Sequence, residues 1–79
     1  MRYKFEQFDA EIENPSLEVD MTRIVDNTIK QELTIPIVLA TENSRFGIEL
    51  NDIVYVNSWN DSDIETLVMN RLLDFEINT

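Results

Sequence analysis

Apolar and polar side chains alternate in four runs along this chain, and a fifth run repeats at helical spacing. Tyr3 and Phe5 alternate, and then the apolar phase jumps to Phe8, Ala10 and Ile12. Such a one-residue slip around Glu6-Gln7 predicts a β-bulge. Asn14-Pro15 is turn chemistry, after which Leu17, Val19 and Met21 resume the alternation. Pairing the two runs across that turn sets Ile12 opposite Leu17, Ala10 opposite Val19 and Phe8 opposite Met21. The same register sets Glu11 against Glu18 and Asp9 against Asp20, two like-charge pairs costing roughly 0.2–1 kcal/mol each.

Asp26-Asn27-Thr28 reads as the next turn. Ile29, Leu33, Ile35, Ile37 and Leu39 then form the longest apolar row, with Lys30, Glu32 and Thr34 facing away. Pro36 lies within it and cannot donate to a ladder, so its nitrogen should face an edge or a bulge. Across the loop Thr41-Glu42-Asn43-Ser44, Phe46, Ile48 and Leu50 fall opposite Leu39, Ile37 and Ile35. A second phase slip at Asn51-Asp52 moves the row to Ile53 and Tyr55.

The last run is a helix. Asn60-Asp61-Ser62-Asp63 offers N-cap side chains, and Ser62 with Glu65 has capping-box spacing. Ile64, Leu67, Val68, Leu72 and Phe75 make one apolar stripe, and Trp59 is placed to plug one end of the core. The whole predicts a single α+β domain over residues 1–79. It is a four-stranded antiparallel meander (strands at about 2–13, 17–25, 29–40 and 45–57) with a C-terminal helix, about 62–76, packed on one face.

Some apolar residues are left over. Met69, Leu73 and Ile77 lie on the far side of the helix from Ile64. On the outer sheet surface Val38, Val54 and Val56 are similarly stranded, with Pro36 beside them. Two such groups are expected to form an oligomer interface, in its simplest form a dimer.

Charge changes the picture further. Sixteen acids against six bases give a net charge of −10, beyond the magnitude of about 2–8 that solubility asks of a small domain. Such a field repels nucleic-acid phosphates and anionic lipid and attracts basic proteins. Asp9, Glu11, Glu13, Glu18 and Asp20, joined by Glu32, form the expected acidic partner-binding face, aimed at a basic protein surface. No stretch resembles a signal peptide or a membrane span, and the absence of cysteine suits a cytoplasmic setting.

Candidate chemistry is sparse. Histidine and cysteine are both absent, which removes the commonest general base, the commonest transition-metal ligand and the thiol nucleophile. The single Gly47 excludes glycine-rich phosphate loops. Asn60 to Glu65 has closely spaced oxygens but lacks the glycine and distal glutamate of a calcium loop, and helix capping explains the same residues. No catalytic residue, cofactor or metal ligand is expected.

Two main functions follow, and a weaker third. One is a non-enzymatic interaction module whose acidic face docks where a partner binds nucleic acid, as small acidic anti-restriction and anti-CRISPR inhibitors of phages and mobile elements do; that comparison rests on size and charge alone. The other is a small homo-oligomeric assembly protein. A weak cation-binding domain, with Asp9, Glu11, Glu18 and Asp20 around a hard ion, is a third.

Overall fold

The computed structural model describes residues 1–77. In chain order it contains β1 (Arg2–Phe5), β2 (Ala10–Glu13), β3 (Ser16–Val19), β4 (Val25–Asn27), β5 (Glu32–Ala40), β6 (Arg45–Val54) and α1 (Asp61–Leu72). Short 3-10 turns occupy Glu6–Phe8, Met21–Arg23 and Leu73–Phe75. The fold is α+β, with antiparallel strands and one C-terminal helix. Its strands form two sheets, however, rather than one meander.

The first sheet corrects the expected hairpin. The slip at Glu6-Gln7 is a chain reversal, not a bulge: the 3-10 turn ends at Asp9 in the left-handed region, φ 46°. β2 therefore folds back on β1, with Arg2 opposite Glu13 and Lys4 opposite Glu11. Opposite charges across a strand pair stabilise it, whereas the expected Glu11–Glu18 pairing would have opposed like charges. β3 goes elsewhere, and Glu18 lies opposite Val38 of β5.

β5 organises the second sheet. β6 runs along one of its edges in the expected register, with Leu39, Ile37 and Ile35 against Phe46, Ile48 and Leu50. The slip at Asn51-Asp52 is a true bulge: the register shifts between Leu33 and Ile35, and Asp52 has φ 58°. β3 and β4 share the other edge and are separated by the turn Met21–Arg23.

Pro36 accounts for that interruption. Asp20 donates its N–H to the Pro36 carbonyl at 3.0 Å, and a continuing ladder would return an N–H from residue 36 to the Asp20 carbonyl. Proline has none. The orphaned carbonyl instead accepts from Arg23 N–H at 3.2 Å, closing the 3-10 turn. The strand breaks where its partner cannot donate.

Leu33, Ile35, Ile37 and Leu39 point inward and are at most 1% exposed. They meet Tyr3, Phe5 and Ile12 of the first sheet and Ile64, Val68 and Leu72 of α1 in one core. Hairpin and helix thus make the second layer together. Phe5 and Phe75 stack with centroids 4.5 Å apart. Beyond α1 the chain bridges to β1, Tyr3 to Glu76, and the Ile77 N–H donates to the Arg2 carbonyl at 2.8 Å.

The helix begins one residue earlier than expected and ends its α-form at Leu72. Of the offered N-cap side chains Asn60 is the cap, and the capping box is Asn60–Asp63 rather than Ser62–Glu65. The Asn60 side chain accepts from Asp63 N–H at 3.0 Å while the Asp63 carboxylate accepts from Asn60 N–H at 2.9 Å, a reciprocal capping box. Ile29 also departs from expectation. It sits in the turn Thr28–Gln31 rather than in the apolar row and is 94% exposed.

Candidate docking surfaces

The six expected acidic residues fall on two surfaces on opposite sides of the core. Glu11 and Glu13 project from the outer face of the hairpin, among Arg2 and Lys4. Asp9 lies at its turn. Glu18 and Glu32 project from the outer face of the main sheet, and Asp20 sits at the break in its edge. Strand alternation turns Glu11, Glu13, Glu18 and Glu32 outward, Asp9 and Asp20 cap turns, and the pairing of strands separates the six.

Cations of the same chain answer several of them. Arg2 reaches Glu11 at 3.2 Å, Arg45 reaches Glu18 at 2.8 Å, and Arg23 lies 3.6 Å from Asp20. All are solvent-accessible pairs, and such pairs contribute about 0–1 kcal/mol. Asp20 has a further local duty: its carboxylate accepts from the Thr22 amide and hydroxyl at 3.2 and 2.7 Å, holding the turn at the strand break. The carboxylates of Asp9, Glu11, Glu18 and Asp20 do not converge on one point. Among the described residues no cluster of three or more acids has the geometry of a metal site.

The expected oligomer residues are also divided. Met69 and Leu73 are 45% and 55% exposed on the free side of the helix. Ile77 leaves them, because the 3-10 turn and the bridge to β1 carry it off the helix axis, where it is half-buried. Val54 and Val56 are exposed at 61% and 77%, while Val38 is half-buried between Glu18 and Gly47.

One grouping was not visible in the sequence. Glu32 lies between Asn27 of β4 and Val54 of β6, and the next position of β4 on the same outward face is Val25. Tyr55 N–H donates to the Gln31 carbonyl at 3.1 Å, which holds Val56 close to the turn carrying Ile29. Val25 and Val54 therefore flank the Glu32 strand on the outer face, and Ile29 and Val56, also among the most exposed large apolar residues, lie at the same end of the main sheet.

A polar junction fixes that end. Asp26 of β4 accepts from the Tyr55 hydroxyl at 2.8 Å and from the Trp59 indole N–H at 3.0 Å. The hydrogen bond and negative charge of Asp26, with burial, raise the Tyr55 pKa above its ordinary value. Trp59 is half-buried against the core, as expected, and Asp26 orients it.

Several grooves flank the layers, two of them beside the hairpin. The larger, of about 530 Å³, runs between Lys4–Gln7 and Ile48–Asp52, with Arg71 and Asp74 at its rim. A smaller one of about 280 Å³ has Met1, Leu17, Met69 and Leu72 among its walls. No described helix is long and apolar enough to cross a membrane. No family model matches this chain, and neither a curated protein nor a solved structure is similar to it.

Proposed function

We propose that this protein is a non-enzymatic interaction module that docks on a basic protein surface through the outer face of its main sheet. The observation that carries this reading is the apolar group Val25, Ile29, Val54 and Val56 at the Glu32 end of the main sheet, on a chain of net charge −10. An exposed apolar centre beside Glu32, on a strongly acidic chain, suits a partner patch of apolar and Arg/Lys side chains, because complementary charge speeds encounter and apolar burial retains the complex. A groove that binds nucleic acid has that character, so the module would compete with nucleic acid for its partner. A cytoplasmic setting completes the reading.

The test is capture from the native host with the wild-type chain and with the double variant Glu32→Lys/Val54→Asp. Both substitutions are on an outward face and leave the core intact. The expected result is a basic protein retained by wild type, released by high salt or by competing nucleic acid, and absent from the variant. Equal capture by both chains rejects the reading.

A second reading, a homo-oligomeric assembly protein, is favoured by Met69 and Leu73, spaced four apart and exposed on the free side of the helix. Leu73→Glu would then dissociate the assembly and leave capture of a basic protein unchanged.

A further inference from the structure

β6 is the outermost strand of the main sheet, and its second edge pairs with no described strand. Hydrogen bonds at the two ends of the β5–β6 ladder set its phase: Thr41 N–H donates to the Ser44 carbonyl at 2.8 Å, and Tyr55 N–H to the Gln31 carbonyl. Antiparallel alternation then turns the main-chain groups of Phe46, Ile48 and Leu50 toward β5 and those of Arg45, Gly47 and Glu49 outward. The far side of β5 agrees. Pro36, opposite Glu49, directs its carbonyl to Asp20 and away from β6.

This edge is protected only by the charges of Arg45, Glu49 and Asp52 and by the bulge at Asn51-Asp52. β6 contains neither Lys nor Pro. Its bulge stops pairing only at Asn51 and Asp52, whose carbonyls Arg71 already occupies. Arg45 to Leu50 is left as an open template for another strand.

We propose that two copies of this chain join edge to edge along β6, antiparallel, with Gly47 facing its own counterpart across a two-fold axis. This register sets Arg45 opposite Glu49 of the partner subunit, and Glu49 opposite Arg45 of the partner subunit. It is the one antiparallel register, among those the outward main-chain groups allow, that matches these opposite charges directly. Other registers set like charges face to face or leave one of the two facing glycine and the other facing asparagine. At the axis no atom lies within 4 Å of where a Gly47 Cβ would stand, so the outer sheet face is uncovered there. On the inner side Phe46 falls opposite Ile48 of the partner subunit, and the groove of about 530 Å³ beside Ile48–Leu50 leaves room for the incoming chain. The result is one sheet continuous through both copies, β5–β6–β6–β5. It uses none of the residues of the Val25–Val54 group, so docking and pairing are separable.

Sedimentation equilibrium on the purified chain tests this, with far-UV circular dichroism to confirm folding of each variant. Wild type is expected to be a dimer. Glu49→Arg, which leaves the Arg45–Glu18 pair intact, should weaken the dimer at least tenfold, and the swap Arg45→Glu/Glu49→Arg should restore it. Glu49→Pro removes an outward N–H that β5 does not use, and should give a folded monomer. A monomeric wild type, a Glu49→Arg chain as dimeric as wild type, or a swap variant that stays monomeric would each overturn the proposal. Capture of a basic partner by the monomeric variants would leave the docking reading standing on its own.

Discussion

Arg71, in the last turn of α1, donates to the carbonyl of Asp52 at 2.7 Å and holds the Asn51 carbonyl with the same guanidinium. Those two carbonyls belong to the bulge, where the β5–β6 ladder loses its regular partners. A single side chain thus ties the helix end to the irregular point of the sheet. Hydrogen bonds to charged groups contribute about 1.5–3 kcal/mol when buried, and this partly exposed pair less, so Arg71→Met should cost about 1–2 kcal/mol. Arg71→Lys should recover only part of it, since an ammonium cannot fork to two carbonyls in a plane. Urea denaturation of the three chains checks this.

Asp26 controls the ionisation of Tyr55. The phenol is held above its ordinary pKa of 10.0, so the folded state keeps its proton where the unfolded state has lost it. The stability this gives is complete below pH 10 and is lost as pH rises through the raised folded value. In Asp26→Asn the tyrosinate absorbance at 295 nm, taken as the difference from Tyr55→Phe, should shift back toward the ordinary value. An unchanged titration would contradict the Asp26–Tyr55 bond.

Ile29 and Ile35 look alike in the alternating row but are 94% and 0% exposed. Ile35→Ala should therefore destabilise the protein by about 2–5 kcal/mol through the cavity it leaves. Ile29→Ser should change stability by no more than about 0.5 kcal/mol. Chemical denaturation midpoints separate the two.

The helix cap gives a similar contrast. Asn60→Ala removes the side chain that accepts from Asp63 N–H and should cost about 0.5–2 kcal/mol. Ser62→Ala removes only a hydroxyl bonded to Asn60 at 2.7 Å and should cost less than half as much. Thermal melts followed at 222 nm would report both; equal losses would restore Ser62 as the cap.

Much of the fold was legible because it follows from local backbone geometry. The β5–β6 register, the bulge at Asn51-Asp52, the buried stripe Ile64, Val68 and Leu72, and the outward direction of the carboxylates all follow from a period of 2 or 3.6. The turns were partly legible too. Four of the five described residues with positive φ are Asp9, Asn14, Asp52 and Asn57, the residue types that tolerate the left-handed region without glycine. Asp9 was the missed signal, since it marks a reversal where alternation alone suggested a bulge.

The alternating pattern by itself determined most of the side chains that face the core, Ile29 excepted, and where the apolar phase breaks, because strand pleat and helix pitch act within a few residues. Only the tertiary structure decided which strand lies beside which. An alternating strand pairs equally well with any neighbour; here the reversal at Glu6–Asp9 brought β2 back onto β1, with opposite charges in register, while the missing N–H of Pro36 split the edge of β5. Those two choices sent the hairpin acids and the sheet acids to opposite sides of the core, and brought Val25, Ile29, Val54 and Val56 together where no local pattern linked them.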